Sequence, residues 1–206
     1  MTQQGTATVR FRQMKDGTQA DYQLLEHMEI AYVQALPERV LAALKKLESE
    51  SLQGYPVNRY QHSLQTATRA LRDGADIELL VAALLHDIGD DLAPHSHADV
   101  AAAILKPYVR PEVTWIVAQH GLFQSYYFAH HLGQDRHGRD RYRDHPWFNA
   151  CADFCERWDQ ASFDPDYPTE PLATFEPWVR EVLTRPAFDP RFTGDQTASV
   201  QDPTKP

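Results

Sequence analysis

Apolar positions recur along this chain at the three-to-four-residue spacing of helices and nowhere form a convincing strand pair. Over residues 21–36, Leu24, Leu25, Met28, Tyr32, Val33 and Leu36 follow that spacing. Pro37 suits the first turn of a second helix, with Val40, Leu41, Leu44 and Leu47 on one face. Gly54 and Pro56 break the pattern, and residues 58–72 then read as a helix closed by Gly74. Residues 77–88 are apolar nearly all round, as in a helix buried on most sides, and Gly89 ends the run. Ser96 followed by Asp99 resembles a capped helix start, leading into Val100, Ile104 and Leu105. A further helix is expected from Pro111 past His120 to Leu132. The charged stretch 133–144 is expected to be a loop or short helix, and residues 145–162 and 175–184 to be helical again. The pattern predicts one all-α domain over residues 21–193, a mobile lead-in over 1–20 and a disordered tail over 194–206.

At 206 residues, 42% hydrophobic and 24% charged, the chain has the size and composition of one globular domain. Its longest apolar run, residues 79–85, is too short to span a bilayer, and no secretory signal pattern opens the chain. We therefore expect a cytoplasmic protein with no membrane partner. A net charge of −9 argues against nucleic acid as a partner, because phosphate backbones reward clustered Lys and Arg. The two cysteines, Cys151 and Cys155, could bind a soft metal, but their spacing favours two small residues packed on one helix face.

The chemistry lies in the placement of the histidines. His86 and Asp87 end the most apolar run of the chain, and burying an imidazole beside a carboxylate is costly unless each is paired or coordinated. A cation offsets that cost for both, favouring the neutral imidazole and the ionised carboxylate. His62 sits on the preceding helix and His120 inside a following one. Spacing alone allows either His95 or His97 as a further ligand. Asp159 lies in a partly apolar late helix. Helices of one bundle can aim such residues at a common interior point. His27, His130, His131, His137 and His145 are expected at the surface or behind the site.

These residues resemble the H…HD…D signature of the HD-domain superfamily, an all-α helical bundle around a dinuclear metal site. The phrases Gln61-His62-Ser63-Leu64-Gln65-Thr66-Ala67 and Leu84-Leu85-His86-Asp87-Ile88-Gly89 carry the likeness. The stretch beginning His97-Ala98-Asp99 resembles the helix start of the family's dinuclear members, which favours His97 over His95. The resemblance implies metal ligation by His62, His86, Asp87, His97, His120 and Asp159. Asp87 would bridge, His62, His86 and Asp159 would complete one metal's shell, and His97 and His120 would bind the other. The metals of such pairs stand about 3.5–4 Å apart.

Most HD proteins are phosphohydrolases, served by manganese or zinc. A smaller branch, including myo-inositol oxygenase and the hydroxyphosphonate oxygenases, uses an Fe(II)/Fe(III) pair and O2 on a small hydroxylated metabolite. The wording around His62 and His97 favours the oxygenase branch, with an organophosphonate or polyol as substrate and two iron ions as cofactor. A non-catalytic metal-binding sensor is a third reading, opposed by the full ligand set. Three positions depart from the branch: Asp90 and Gln124 stand where relatives carry lysine, and Tyr55 where they carry glutamate. These three are the expected substrate-pocket residues. Phe123, Tyr126, Tyr127 and Phe128 supply aromatic bulk, at least two of them as core packing. Arg139, Arg141 and Arg143 form either an anion-binding lid or a self-paired charged segment.

Overall fold

The computed structural model describes residues 8–49 and 54–194, and the described residues contain helices and turns but no strand. Among the described residues the α-helices follow in order: α1 Gln19–Gln34, α2 Leu36–Lys46, α3 Arg59–Arg72, α4 Ile77–Leu85, α5 His97–Leu105, α6 Pro111–Phe128, α7 Phe148–Asp153, α8 Leu172–Leu183 and α9 Pro190–Thr193. None of them is long and apolar enough to cross a membrane. Of the expected 194–206 tail, only Gly194 lies within the described residues. So do residues 8–20 of the expected lead-in, where a short 3-10 turn, Met14–Asp16, precedes α1.

Helix α4 is the axis of the body. Asp76 caps it, accepting from the Glu78 and Leu79 amides, while the Arg110 guanidinium holds the same carboxylate. Its residues from Val81 to Leu85 are almost wholly buried, against α3 on one side and α6 and α8 on others. Each fully buried leucine there contributes about 1.5–3 kcal/mol, which helps offset the polar residues that follow. Helix α3 starts in a reciprocal cap, with the Asn58 side chain on the Gln61 amide and the Gln61 side chain on the Asn58 amide. Its inward face is unusually polar, with His62, Ser63, Gln65, Thr66 and Thr68 all buried.

Several boundaries differ from the sequence reading, for identifiable reasons. Helix α1 begins at Gln19 because Thr18, paired with Asp21, makes the cap. None of α1's residues is buried, and its apolar face, with Leu25, Tyr32 and Val33 exposed, stays outside the core. Helix α4 stops at Leu85, and three-residue turns through Ile88 and Asp90 carry the chain past Gly89. Ser96 does precede α5, but its side chain makes no cap bond. The late helix expected over 145–162 is α7 followed by a π turn, Phe154–Asp159, in which the Gln160 amide bonds the Cys155 carbonyl.

Candidate metal centre

Five structural elements deliver the six residues. Helix α3 supplies His62, the turns after α4 supply His86 and Asp87, the first residue of α5 is His97, α6 contributes His120, and the π turn ends in Asp159. The wider π turn re-aims one residue at the end of a helix, a local geometry recurrent at functional sites. Gly89 sets the approach of α5. A Cβ there would stand 2.7 Å from Val100 Cβ and 2.9 Å from the His97 carbonyl oxygen, so only hydrogen fits.

The four imidazoles share one arrangement. Each Nδ1 bonds a backbone carbonyl: His62 to Ser162 at 2.9 Å, His86 to Ala83 at 2.9 Å, His120 to Val117 at 2.7 Å and His97 to Pro94 at 3.3 Å. A carbonyl only accepts, so every Nδ1 is the donor and a neutral ring is left with its lone pair on Nε2. All four Nε2 atoms then converge. His62 and His86 face each other at 3.1 Å, and His97 and His120 at 3.3 Å.

Asp87 stands between these pairs. Its Oδ1 lies 3.3 Å from both His97 Nε2 and His120 Nε2, and its Oδ2 lies 3.6 Å from both His62 Nε2 and His86 Nε2. Asp159 Oδ1 joins the latter pair at 3.2 Å from His62 and 3.7 Å from His86. Two imidazole lone pairs at such distances repel unless a cation or proton lies between them. A metal about 2.1 Å from each donor separates neighbouring donors by roughly 3.0–3.4 Å in octahedral or tetrahedral geometry. The donor set therefore fits metal ions. Asp159 Oδ2 is also buried without a hydrogen-bond partner, a polar atom that a cation would satisfy.

The electrostatics agree. Burial by itself would raise the Asp87 carboxyl, but His86, the hydrogen bond from His120 and His62 together hold it well below the usual carboxylate range. Asp159 is likewise held low against burial, chiefly by His86 and His62. Burial would lower His62 and His86, yet Asp159 and Asp87 outweigh it and raise both.

A cavity of about 340 Å³ opens on one side of the cluster. His97, His120, Asp87 and Asp159 line it; His62 and His86 lie behind them. Tyr55, Tyr127, Phe128 and Phe163 form aromatic walls, and Gln124, Gln160, Gly121 and Arg59 complete the lining. A Cβ on Gly121 would come within 3.9 Å of His97 Nε2, so glycine keeps that imidazole accessible. Phe163 stacks on His62 with ring centroids 4.4 Å apart, and Tyr55 stacks on Phe163 at 5.0 Å.

Of the three expected pocket residues, Tyr55 and Gln124 reach the cavity. Gln124 Nε2 donates to Asp159 Oδ1 at 3.1 Å. Asp90 is not among the lining residues and pairs instead with Arg59 at 3.4 Å. His95 is exposed while His97 Nε2 points into the cluster. His27, His130, His131 and His137 are exposed, and His145 stacks on Trp115 with centroids 4.1 Å apart. Both cysteines are buried, Cys155 Sγ donating to the His120 carbonyl at 3.5 Å. Of the aromatic stretch, Phe123 is wholly buried and Tyr126 sits beneath Arg139, leaving Tyr127 and Phe128 at the cavity. Arg143 pairs with Asp140 at 2.9 Å, and none of the three arginines of that segment lines the cavity. Sequence reasoning missed Arg59, Gln160 and Phe163. Arg59, three residues before His62, shares its helix face and was findable by that spacing; the other two depend on the π turn and the chain beyond it.

The HD domain family model matches residues 59–146, a span holding His62, His86, Asp87, His97 and His120 but not Asp159. A [1-hydroxy-2-(trimethylamino)ethyl]phosphonate dioxygenase (glycine-betaine-forming) from Leisingera caerulea is 33% identical over 91 residues, covering 39% of this chain and 46% of that protein. The chain thus spans less than half the length of the curated relative it matches. Residues 59–146 are similar to the HD domain family, and the stretch holds five of the six residues of the buried His-Asp cluster.

Proposed function

We propose that this chain is a metal-dependent HD enzyme with a two-metal centre, and that it uses O2 to oxidise or cleave a small hydroxylated metabolite such as an organophosphonate or polyol. The observation that carries the reading is the division of Asp87, one oxygen facing His97 and His120 and the other facing His62 and His86. A carboxylate so divided is suited to bridging. His62, His86 and Asp159 would complete one metal's shell, and His97 and His120 the other's. Imidazole and carboxylate donors suit iron, manganese and zinc. An Fe(II)/Fe(III) pair, once bound, would supply the activation of O2 and a Lewis-acidic seat for the substrate hydroxyl.

The chain's own residues set the conditions for that chemistry. The carbonyl bonds on Nδ1 fix each imidazole and keep Nε2 as the donor. The substrate enters from the His97 and His120 side, since those two line the cavity. Tyr127, Phe128 and Phe163 keep water from the reacting carbon. Gln124 steadies Asp159, its Nε2 donating to the Asp159 carboxylate. The oxygen chemistry is supported by the similarity to the Leisingera dioxygenase, whose named substrate carries a hydroxyl, a phosphonate and a trimethylamino group.

The test is iron reconstitution, metal analysis and low-temperature EPR after partial reduction, with O2 uptake followed over a panel of hydroxyphosphonates and polyols. We expect a coupled Fe(II)/Fe(III) signal that changes on adding substrate, and O2 uptake that depends on substrate. Phosphate release supported by manganese or zinc, with no coupled iron signal, would replace this reading with a phosphohydrolase.

A further inference from the structure

Arg59 belongs to no motif, yet it touches the centre of the site. Its Nη1 donates to Asp87 Oδ2 at 3.1 Å, and its Nε lies 3.4 Å from Asp90 Oδ2. All three side chains are largely enclosed, at 16%, 5% and 11% exposure. We propose that Arg59, braced by Asp90, is a positioning residue that sets the rotation of the Asp87 carboxylate, so that each oxygen faces a different imidazole pair. The proposal rests on the two-metal reading above and adds to it the residues that make the carboxylate a bridge.

The argument begins with the softness of the torsion. A carboxylate turns easily about its last bond, which has broad, roughly two-fold wells. Asp87 sits among four imidazoles, and nothing in that ring of similar donors prevents both its oxygens from turning toward one pair. A guanidinium on Oδ2 removes the degeneracy by tying that oxygen to the α3 side, where His62 also originates. The chain provides the brace locally. Asp90 follows Asp87 in the turns after α4, and its amide bonds the Asp87 carbonyl at 3.0 Å, so one turn presents both carboxylates to one guanidinium. Arginine's planar fork can engage two carboxylates at once; a lysine ammonium lacks that fixed geometry. The Tyr55 ring, 5.1 Å from the guanidinium carbon, packs on its open side. Asp90 thus acts on the site through Arg59.

Positioning and simple charge balance predict opposite signs. If Arg59 served only as a nearby positive charge, removing it would tighten metal binding. If it orients the bridge, removing it weakens binding of the second metal equivalent, by about 10–100-fold for a partner of a ligand. The experiment titrates metal-free protein with manganese(II), reading stoichiometry and affinity by calorimetry and the coupling between ions by EPR, with circular dichroism to verify the fold. Wild type is expected to bind two equivalents and give a coupled signal. Arg59→Met should weaken the second equivalent and convert coupled manganese to isolated six-line manganese. Arg59→Lys should lie between, and Asp90→Asn should shift the same way by less. Unchanged or tighter binding of both equivalents in a folded Arg59→Met, with the coupled signal retained, overturns the proposal. The Lys and Asn variants decide the matter in the same terms if Arg59→Met does not fold. Wild type taking only one equivalent would overturn the two-metal reading itself, and this one with it, before any variant is made.

Discussion

The two halves of the cluster are built differently. His62 and His86 are 1% and 0% exposed, and the His62 ring is anchored to the Ser162 carbonyl, a hundred residues away in the chain. His97, on the other half, has a side chain 22% exposed and a long 3.3 Å bond to the carbonyl of Pro94, three residues before it. In the deep half, His62 is tied to a distant part of the chain, and neither His62 nor His86 lines the cavity, which that half reaches only through Asp159. The open half is held by local contacts and faces the cavity. A site divided in this way can keep one ion fixed while leaving positions for exchange at the other. Asp87 is the one residue common to both halves, so its loss should have the largest effect. Asp87→Ala is expected to carry no bound metal and to have no activity, measured by metal analysis after dialysis. Retention of both metals would remove the bridge from the account.

Single histidine variants should separate the halves. His62→Ala is expected to lose the deep ion and to destabilise the loaded protein. It would leave the buried Ser162 carbonyl without its donor, a loss of about 1–3 kcal/mol, in addition to the emptied space. His97→Ala is expected to keep one equivalent, lose activity and shift the melting temperature less, because its side chain is partly exposed already. Metal content and thermal unfolding of both variants check this. Equal losses in both would mean that the halves form a single unit.

Gly89→Ala probes the same division without touching a donor. The added methyl would meet Val100 Cβ and the His97 carbonyl at under 3 Å, so the first turn of α5 must move. Such overpacking costs about 1–3 kcal/mol. The open half should bind metal more weakly while the deep half stays near wild type, read as a loss of affinity confined to the second equivalent. A uniform loss at both sites would assign Gly89 a general packing role.

The same contrast explains what was legible in the sequence. The His86 and Asp87 positions were visible because polar residues end a strongly apolar helix, and they persist as buried groups in the structure, whereas His62, on a helix rich in polar residues, was visible through its motif. Helix positions such as those of α2 and α8 followed from periodicity, since each has one buried face. Helix α1 has the same periodicity and no buried residue, because period reports which side is apolar and cannot report whether anything covers it. The π turn was unreadable: Phe154–Asp159 has ordinary helical residues, and the widened turn is fixed by packing. The role of Asp90 was misplaced for a related reason. Its number suggested a pocket wall, while the turn geometry directs it to Arg59.

The smallest effect is the pH dependence, and its sign differs between the metal-free and loaded states. In metal-free protein His62 and His86 lie above their ordinary value of 6.5, because Asp159 and Asp87 outweigh burial. A raised folded value stabilises below the unfolded value and loses that contribution as pH rises through the folded one. Asp87 and Asp159 lie below their ordinary 3.8, so their contribution is present above 3.8 and lost as pH falls through the folded values. These four groups therefore favour the metal-free fold most between about pH 4 and 6.5. Metal binding needs neutral imidazoles and displaces the same protons, so the stabilisation it adds should grow as pH rises above 6.5. The difference in melting temperature between loaded and chelator-treated protein should accordingly widen from pH 6 to 9, even as the metal-free value falls. The deep half holds both raised histidines, so His97→Ala should keep most of this widening and His62→Ala should lose much of it. If the gap stayed constant with pH, the metal would not be competing with protons at those two Nε2 atoms, and the deep half would lose its claim as the anchored side of the site.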